Sequence, residues 1–487
     1  MKIAMIASEA NPLIKTGGLA DVVYSLSLEL NKLDNKAVII LPYYKKIKNN
    51  PQYSVTFLGK FDIFMSWRKE YCGVFKLVLG NIEYYLIDNE QYFLRDNAYG
   101  YGDDGERFAF FSLAAIQALK LVDFKPDIVH IHDWQVGMIP CLLKEKYRND
   151  PFFSGVKSVL TIHNPEFKGY LDKYFLNNYY GLSDTLFDNG KVRFDGMVST
   201  LKSGITFSDI ITTVSPTHRD ELLDPLSRFK FSYVLELRKD DFYGIVNGVD
   251  TVEFNPKEDK YLCMTYDASK YLRSRTNNKK DLINSFHLPN VISKNPIFGV
   301  VSRLTEQKGI DLILANIPYL VEQGGSIVIL GSGDPALEDK VQKIRDKYSH
   351  RVGIYIGYND ELAHKIYGGC DFFLMPSLFE PCGISQIISQ RYGAVPIVRE
   401  TGGLKDTVIG YKDTNLAVAN GLSFQDFTVE GLRGTIEYAF RVYADDEKMK
   451  TIVKNGMKLD RSWKTSALEY MKIYRKALEK WVTTIAK

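Results

Sequence analysis

The sequence predicts an α/β protein made of two doubly wound parallel sheets, and three observations carry that expectation. Short apolar runs such as Ile3–Ala7, Ile297–Val301 and Phe372–Met375 have the length of strands buried on both faces. Most are followed by a glycine-bearing or polar loop and then by a helically periodic stretch, the order that repeated βα units require. The pattern comes as two series, one closing near residue 240 and one opening at Pro296, and a chain of 487 residues exceeds one ordinary core.

The first series begins with Ile3–Ala7, a loop containing Gly17 and Gly18, and an amphipathic helix starting near Leu19. Paired glycines let a ligand approach the backbone and equally make a plain turn; Lys15 adds a cation beside the helix start. Ala37–Leu41 is expected as the second strand, followed by β-like runs such as Tyr53–Leu58 and Tyr71–Val78. Tyr92, Phe93, Tyr99 and Tyr101 then concentrate among glycines and charges, a composition that suits rings offered to a sugar or rings capping a core. Asp127–His132, Ser158–His163 and Ile210–Val214 are three more strands, ending at Asp133-Trp134, His163-Asn164 and Ser215-Pro216. Polar groups at successive strand ends place a site on the carboxyl edge of the sheet. His130 and His132 share one strand face, as metal ligands or core histidines would; no third ligand stands at a helpful spacing.

Around Gly244–Asp250 the chain changes character. In the second series, Ile297–Val301 leads through Ser302–Gly309 to a helix with Ile310, Ile313, Leu314 and Ile317 on one face. Arg303 and Lys308 sit at that strand end and helix start, where the helix dipole disfavours cations unless an anion lies between them. Glu306 or a bound diphosphate would serve. Ser326–Leu330 and Arg351–Tyr358 supply further strands, and Asp371–Gly403 brings together Glu380, a helix start at Gly383-Ile384, and Gly402-Gly403. The tail places Leu468, Met471, Tyr474, Leu478 and Trp481 at helical spacing, as a docked helix would.

Composition narrows the functional classes. A net charge of +3 gives no global electrostatic reason to expect nucleic acid or membrane as partner. Five cysteines without a C-x-x-C pair argue against a disulfide framework and a zinc site and suit a reducing cytoplasm. Apolar runs are too short for a signal peptide or a membrane span.

Taken together, KTGGLADV at Lys15–Val22, HDW at His132–Trp134, HN at His163–Asn164, NGVD at Asn247–Asp250, SRLTEQKG at Ser302–Gly309, GSGDP at Gly331–Pro335, EPCG at Glu380–Gly383 and TGGL at Thr401–Leu404 resemble the bacterial glycogen synthase and plant starch synthase family in order and spacing. The chain departs mildly from it, with Ile384-Ser385 where Leu-Thr is usual and Gln135-Val136 where His-Ala is common. The resemblance implies a GT-B fold: two Rossmann-like domains, residues 1–240 and 241–462, facing across a deep cleft, with a C-terminal helix, 463–487, returning to the first. It implies a retaining transfer of glucose from ADP-glucose to an α-1,4-glucan, with no metal or other cofactor; UDP-glucose is the alternative donor, and a non-catalytic glucan-binding protein or a pyridoxal-dependent phosphorylase are the rival classes. It further implies that Lys15, Gly17, Gly18, Arg303 and Lys308 address the nucleotide phosphates and Tyr358 the adenine. Asp133, His163 and Glu380 then address the transferred sugar, and Asn247, Cys382, Gly383, Thr401, Gly402 and Gly403 make further substrate contacts. Glu9, Asp21 and Tyr92 lie toward the acceptor. Cys382 on its own chemistry is a packed residue rather than a nucleophile.

Overall fold

A computed structural model describes the backbone of residues 1–289 and 294–485, with side chains described as far as residue 480. The chain forms two compact units. The first comprises 1–214, 219–245 and the C-terminal helix from Trp463; the second comprises 215–218 and 246–462.

The first unit carries β1 (Lys2–Ile6), β2 (Lys36–Pro42), β3 (Thr56–Met65), β4 (Arg68–Leu79), β5 (Ile82–Asp88), β6 (Ile128–His132), β7 (Lys157–Ile162), β8 (Tyr170–Leu171), β9 (Arg193–Phe194), β10 (Met197–Ser199), β11 (Ile210–Thr213) and β12 (Phe242–Gly244). Nine of these form one sheet in the order β12-β11-β7-β6-β1-β2-β5-β4-β3, while β8, β10 and β9 make a small separate one. From β12 to β5 every pairing is parallel, and the β3–β4 hairpin adds an antiparallel margin. The parallel strands are apolar on both faces because helices cover both; Ile3–Ile6 and Val38–Leu41 are wholly buried. The hairpin differs from the expected runs. Tyr53–Val55 precede the strand, and β3 instead continues to Met65, where alternating exposure marks a half-solvated face.

The second unit contains β13 (Ile297–Val301), β14 (Ser326–Gly331), β15 (Val352–Ile356), β16 (Phe372–Met375), β17 (Val395–Arg399) and β18 (Leu422–Phe424), paired in parallel in the order β15-β14-β13-β16-β17-β18. The helix Asp360–Gly369 lies so close on β13 that a Cβ at Gly299 would stand 2.6 Å from Ile366 and 2.8 Å from Cys370. Winding reverses between β1 and β6 in one sheet and between β13 and β16 in the other. Open α/β sheets bind ligands at the carboxyl ends of such strand pairs.

The C-terminal helix, Trp463–Ile485, packs in the first unit against the helix Gly18–Lys32 and β7. Its buried stripe is Trp463, Ala467, Tyr470, Tyr474 and Ala477. Leu468, expected on that stripe, is 46% exposed, because the stripe runs through Ala467 and Tyr470 and leaves Leu468 and Glu469 facing outward; the expected Trp481 lies outside the described side chains. Among the described residues no helix is long and apolar enough to cross a membrane.

Candidate active site

At the switch point of the second unit, the β13 and β16 loops meet through a charge pair. Lys308 Nζ lies 2.5 Å from Glu380 Oε2, and Ser377 Oγ donates to the same oxygen at 3.0 Å. The acid that answers Lys308 is therefore Glu380 and not the neighbouring Glu306. Both partners are largely shielded, with side chains 17% and 9% exposed. Gln307 joins the two loops, accepting from Leu378 N through its carbonyl and donating through Nε2 to Phe379 O at 3.2 Å. Gly309 permits the approach: at φ 69° a Cβ would fall 2.2 Å from Pro376 O. Arg303 is exposed and donates to Gln307 Oε1 at 3.3 Å. A cavity of about 200 Å³ opens here between Ser302, Arg303, Lys308, Met375, Ser377 and Ser385.

The glycines of the following loop seat this acid. A Cβ on Gly402, at φ 44°, would stand 2.0 Å from Glu380 O, and one on Gly403 would stand 2.1 Å from Cys382 O. Gly403 N donates to Glu380 O at 3.1 Å. These residues, with buried Thr401, hold the Glu380–Gly383 turn from behind. Gly383 takes φ 71° just before the helix Ser385–Arg391. Cys382 is buried beside the Asn247 backbone N–H, and burial pushes its thiol up to about 12, so it is inert as a nucleophile at neutral pH. Asn247 is buried as well, its Oδ1 meeting no hydrogen-bond partner among the described residues. Tyr358 follows β15 on the same sheet edge and is 77% exposed, its hydroxyl hydrogen-bonded to Asp360.

In the first unit, the switch point gathers Glu9, Asp133 and His163. Asp133 adopts φ 60°, ψ −169°, backbone territory that is close to glycine-only and costs ~1–3 kcal/mol. Its Oδ1 accepts from His163 N at 2.7 Å and Asn164 N at 3.4 Å, which lock the β7 loop onto the β6 loop. Burial pushes the carboxyl up to about 7; the two N–H donors pull the other way and Glu9 adds to the rise. His163 Nε2 lies 3.0 Å from His132 Nδ1, and burial brings His163 down to about 3, so the ring is neutral. His130 is similarly low; its ring nitrogens meet Tyr474 Oη and Thr161 Oγ1, which makes it a satisfied core histidine. Strained backbone with a desolvated carboxyl and neutral imidazoles is a combination that folding alone does not favour.

Glu9 is buried and receives Thr16 N, Thr16 Oγ1 and Tyr99 Oη, so it shapes the loop carrying Lys15. Lys15 pairs with Asp21 at 2.8 Å. Gly17 and Gly18 are exposed: a Cβ on either meets no atom within 4 Å, and neither adopts a left-handed φ. Among the described residues nothing demands glycine at these two positions.

Tyr92, expected toward an acceptor, is instead a core residue with no solvent exposure, packed on Phe93 and Phe110 and donating to Glu106 at 2.6 Å. The reason is Arg107. Fully buried, it draws in the carbonyls of Tyr92 and Ala98 and pairs with Asp104, folding the aromatic segment inward. Tyr99 and Tyr101 stay half-buried. Sequence reasoning missed Arg107, Thr16 and Ser377 as organisers. Ser377 was at least a local candidate, standing three residues before Glu380 in the sequence.

Comparison with known proteins agrees with this architecture. Residues 2–236 match the family described as starch synthase catalytic domain, and residues 285–458 match glycosyl transferases group 1. The chain is 42% identical to a glycogen synthase of Bacillus cytotoxicus, over 98% of this chain and 100% of that one. It is 41% identical to a glycogen synthase of Alkaliphilus metalliredigens, over 98% and 99%. The catalytic domain of starch synthase IV from Arabidopsis thaliana, solved bound to ADP and acarbose, superposes with a TM-score of 0.89 at 31% identity, over 98% and 99%. With its two doubly wound sheets and full-length similarity, this chain belongs to the glycogen and starch synthase family of GT-B glycosyltransferases.

Proposed function

We propose that this protein transfers glucose from ADP-glucose to the non-reducing end of an α-1,4-glucan, retaining the anomeric configuration. The observation that carries the proposal is the Lys308–Glu380 pair beside Arg303 at the switch point of the second unit, in a family whose starch synthase member was solved with ADP and acarbose. In this proposal the bond between the sugar C1 and the diphosphate oxygen breaks as the bond from C1 to the acceptor O4 forms on the same face. The acceptor proton passes to the departing phosphate. Lys308 and Arg303 stabilise the charge that grows on the diphosphate, and such preorganised groups are worth ~10²–10³ in rate apiece. Glu380, held by Ser377 and by the Gly402-Gly403 turn, addresses the sugar hydroxyls.

Within the first unit, Asp133 and His163 are assigned to the transferred glucose. The neutral His163 ring donates a hydrogen bond without adding charge. Gly17 and Gly18, which no described residue requires to be glycine, are assigned with Lys15 to an anionic substrate group. Glu9 and Asp21 shape that same loop on the acceptor side. Tyr358 offers its exposed ring to adenine. Side-chain cations provide the positive charge in this scheme, so the reaction is proposed to be metal-independent, in a cytoplasmic protein with five unpaired thiols.

The test is glycogen elongation with ADP-glucose and UDP-glucose in competition, with and without a chelator. Preferential, chelator-resistant incorporation from ADP-glucose supports the proposal, and preference for UDP-glucose refutes the donor assignment. Lys308→Ala should lower turnover at least ~tenfold while the protein stays folded.

A further inference from the structure

The outer margin of the first unit carries a pattern that glucosyl transfer does not use. β3 ends the nine-stranded sheet, and among the described residues no strand pairs with its far side. It is ten residues long, contains no proline, and leaves Leu58 40% and Phe64 61% exposed. Natural edge strands are usually blunted by charge, proline or a bulge. The bulge here falls between Phe57 and Gly59, leaving Lys60–Met65 regular. The two charges on the regular part, Lys60 and Asp62, have opposite sign and stand two residues apart on the solvated face. Asp62 also meets Lys69 of its own hairpin at 3.0 Å, an exposed pair of small worth.

We propose that β3 is a self-complementary edge that joins two copies of this chain in an antiparallel pair centred on Phe61. In that register Lys60 lies opposite Asp62 of the second copy and Phe61 opposite its own copy, so the central pairing stays within the stretch that the bulge leaves regular. Two-fold symmetry makes each contact twice. The charges select the register. Centring one residue earlier sets Lys60 against its own copy, and one residue later sets Asp62 against its own copy, both repulsive. Offsets that pair odd with even positions put solvated side chains opposite inward ones. A groove of about 600 Å³ runs beside the strand, between Phe61, Ile63 and Phe64 on one side and Leu113, Leu121 and Tyr147 on the other, with Gln117, Lys120 and Lys146 also on its wall. It leaves room for the inward side chains of the second strand.

Sedimentation of the full chain over a range of concentrations tests this. A dimer is expected, weakened about tenfold or more by Lys60→Asp and by Asp62→Lys, and restored when the two are combined. In a Cys263→Ser background, which removes the one exposed thiol, Phe61→Cys should form a disulfide-linked dimer under mild oxidation. Opposed Cα atoms in an antiparallel pair lie ~4.5–5.5 Å apart, within disulfide reach. Thr56→Cys should not cross-link, its two copies being roughly 33 Å apart along the paired strands. A monomer at every concentration, including one that engages glucan through this hairpin, overturns the proposal. So does a dimer that ignores charge reversal or cross-links no better at Phe61 than at Thr56.

Discussion

Replacing Asp133 by asparagine should stabilise the first unit, by an amount that depends on pH. The carboxyl is buried and pushed up to about 7, against an ordinary value of 3.8. A carboxyl whose folded pKa exceeds its unfolded one takes up a proton on folding, so its penalty is absent below the unfolded value, grows as pH rises between the two, and is complete above the folded value. The gap from 3.8 to about 7 corresponds to ~4 kcal/mol. Asparagine has the same shape, carries the same backbone strain as aspartate at this position, and keeps an acceptor for His163 N. The carboxyl's shift already contains the stronger pull of the N–H donors on the charged form, so the gain is roughly 4 kcal/mol near pH 8 and well under 1 kcal/mol near pH 4. Urea unfolding followed by tryptophan fluorescence in wild type and variant across this range measures it. A variant that is equally or less stable near pH 8, or a difference that does not change with pH, refutes the claim that Asp133 is held at a cost to folding. Glycogen elongation by the same variant should fall sharply, since a residue kept against stability is kept for its chemistry.

Glu380→Gln removes the partner of a shielded lysine and should lower kcat about 100-fold or more while changing ADP affinity by less than about tenfold, measured by elongation kinetics and calorimetry; comparable losses in both would place the acid at the nucleotide instead. Gly402→Ala forces a Cβ to 2.0 Å from Glu380 O at φ 44°, and should cost ~2 kcal/mol or more in denaturant unfolding as well as activity; a neutral effect would show that the turn does not depend on this seat. Tyr358→Ala removes an exposed ring and should raise KM for ADP-glucose about fivefold or more with stability within ~0.5 kcal/mol of wild type, because it loses a stacking surface and no core contact; unchanged KM removes it from the site.

The sequence by itself determined what depends on local order. Strand runs such as Ile297–Val301, the loops after them, and the motifs at the strand ends follow from burial on both faces and from short-range spacing, and the glycosyltransferase family was legible in those motifs. Tertiary structure alone decided the partnerships. Lys308 and Glu380 are 72 residues apart, and only the β13–β16 pairing makes Glu380, rather than Glu306, the neutralising acid. The same holds for Tyr92. Its composition suited a presented ring and a core-capping one alike, and buried Arg107 decides by gathering the carbonyls around it and turning the segment inward. Gly17-Gly18 and Gly402-Gly403 look alike as dipeptides. Packing separates them: the first pair is bare and open to an incoming group, while the second is closed against the carbonyls of the acid loop. Contacts between distant strand ends are set by sheet order, and sheet order is a property of the whole chain.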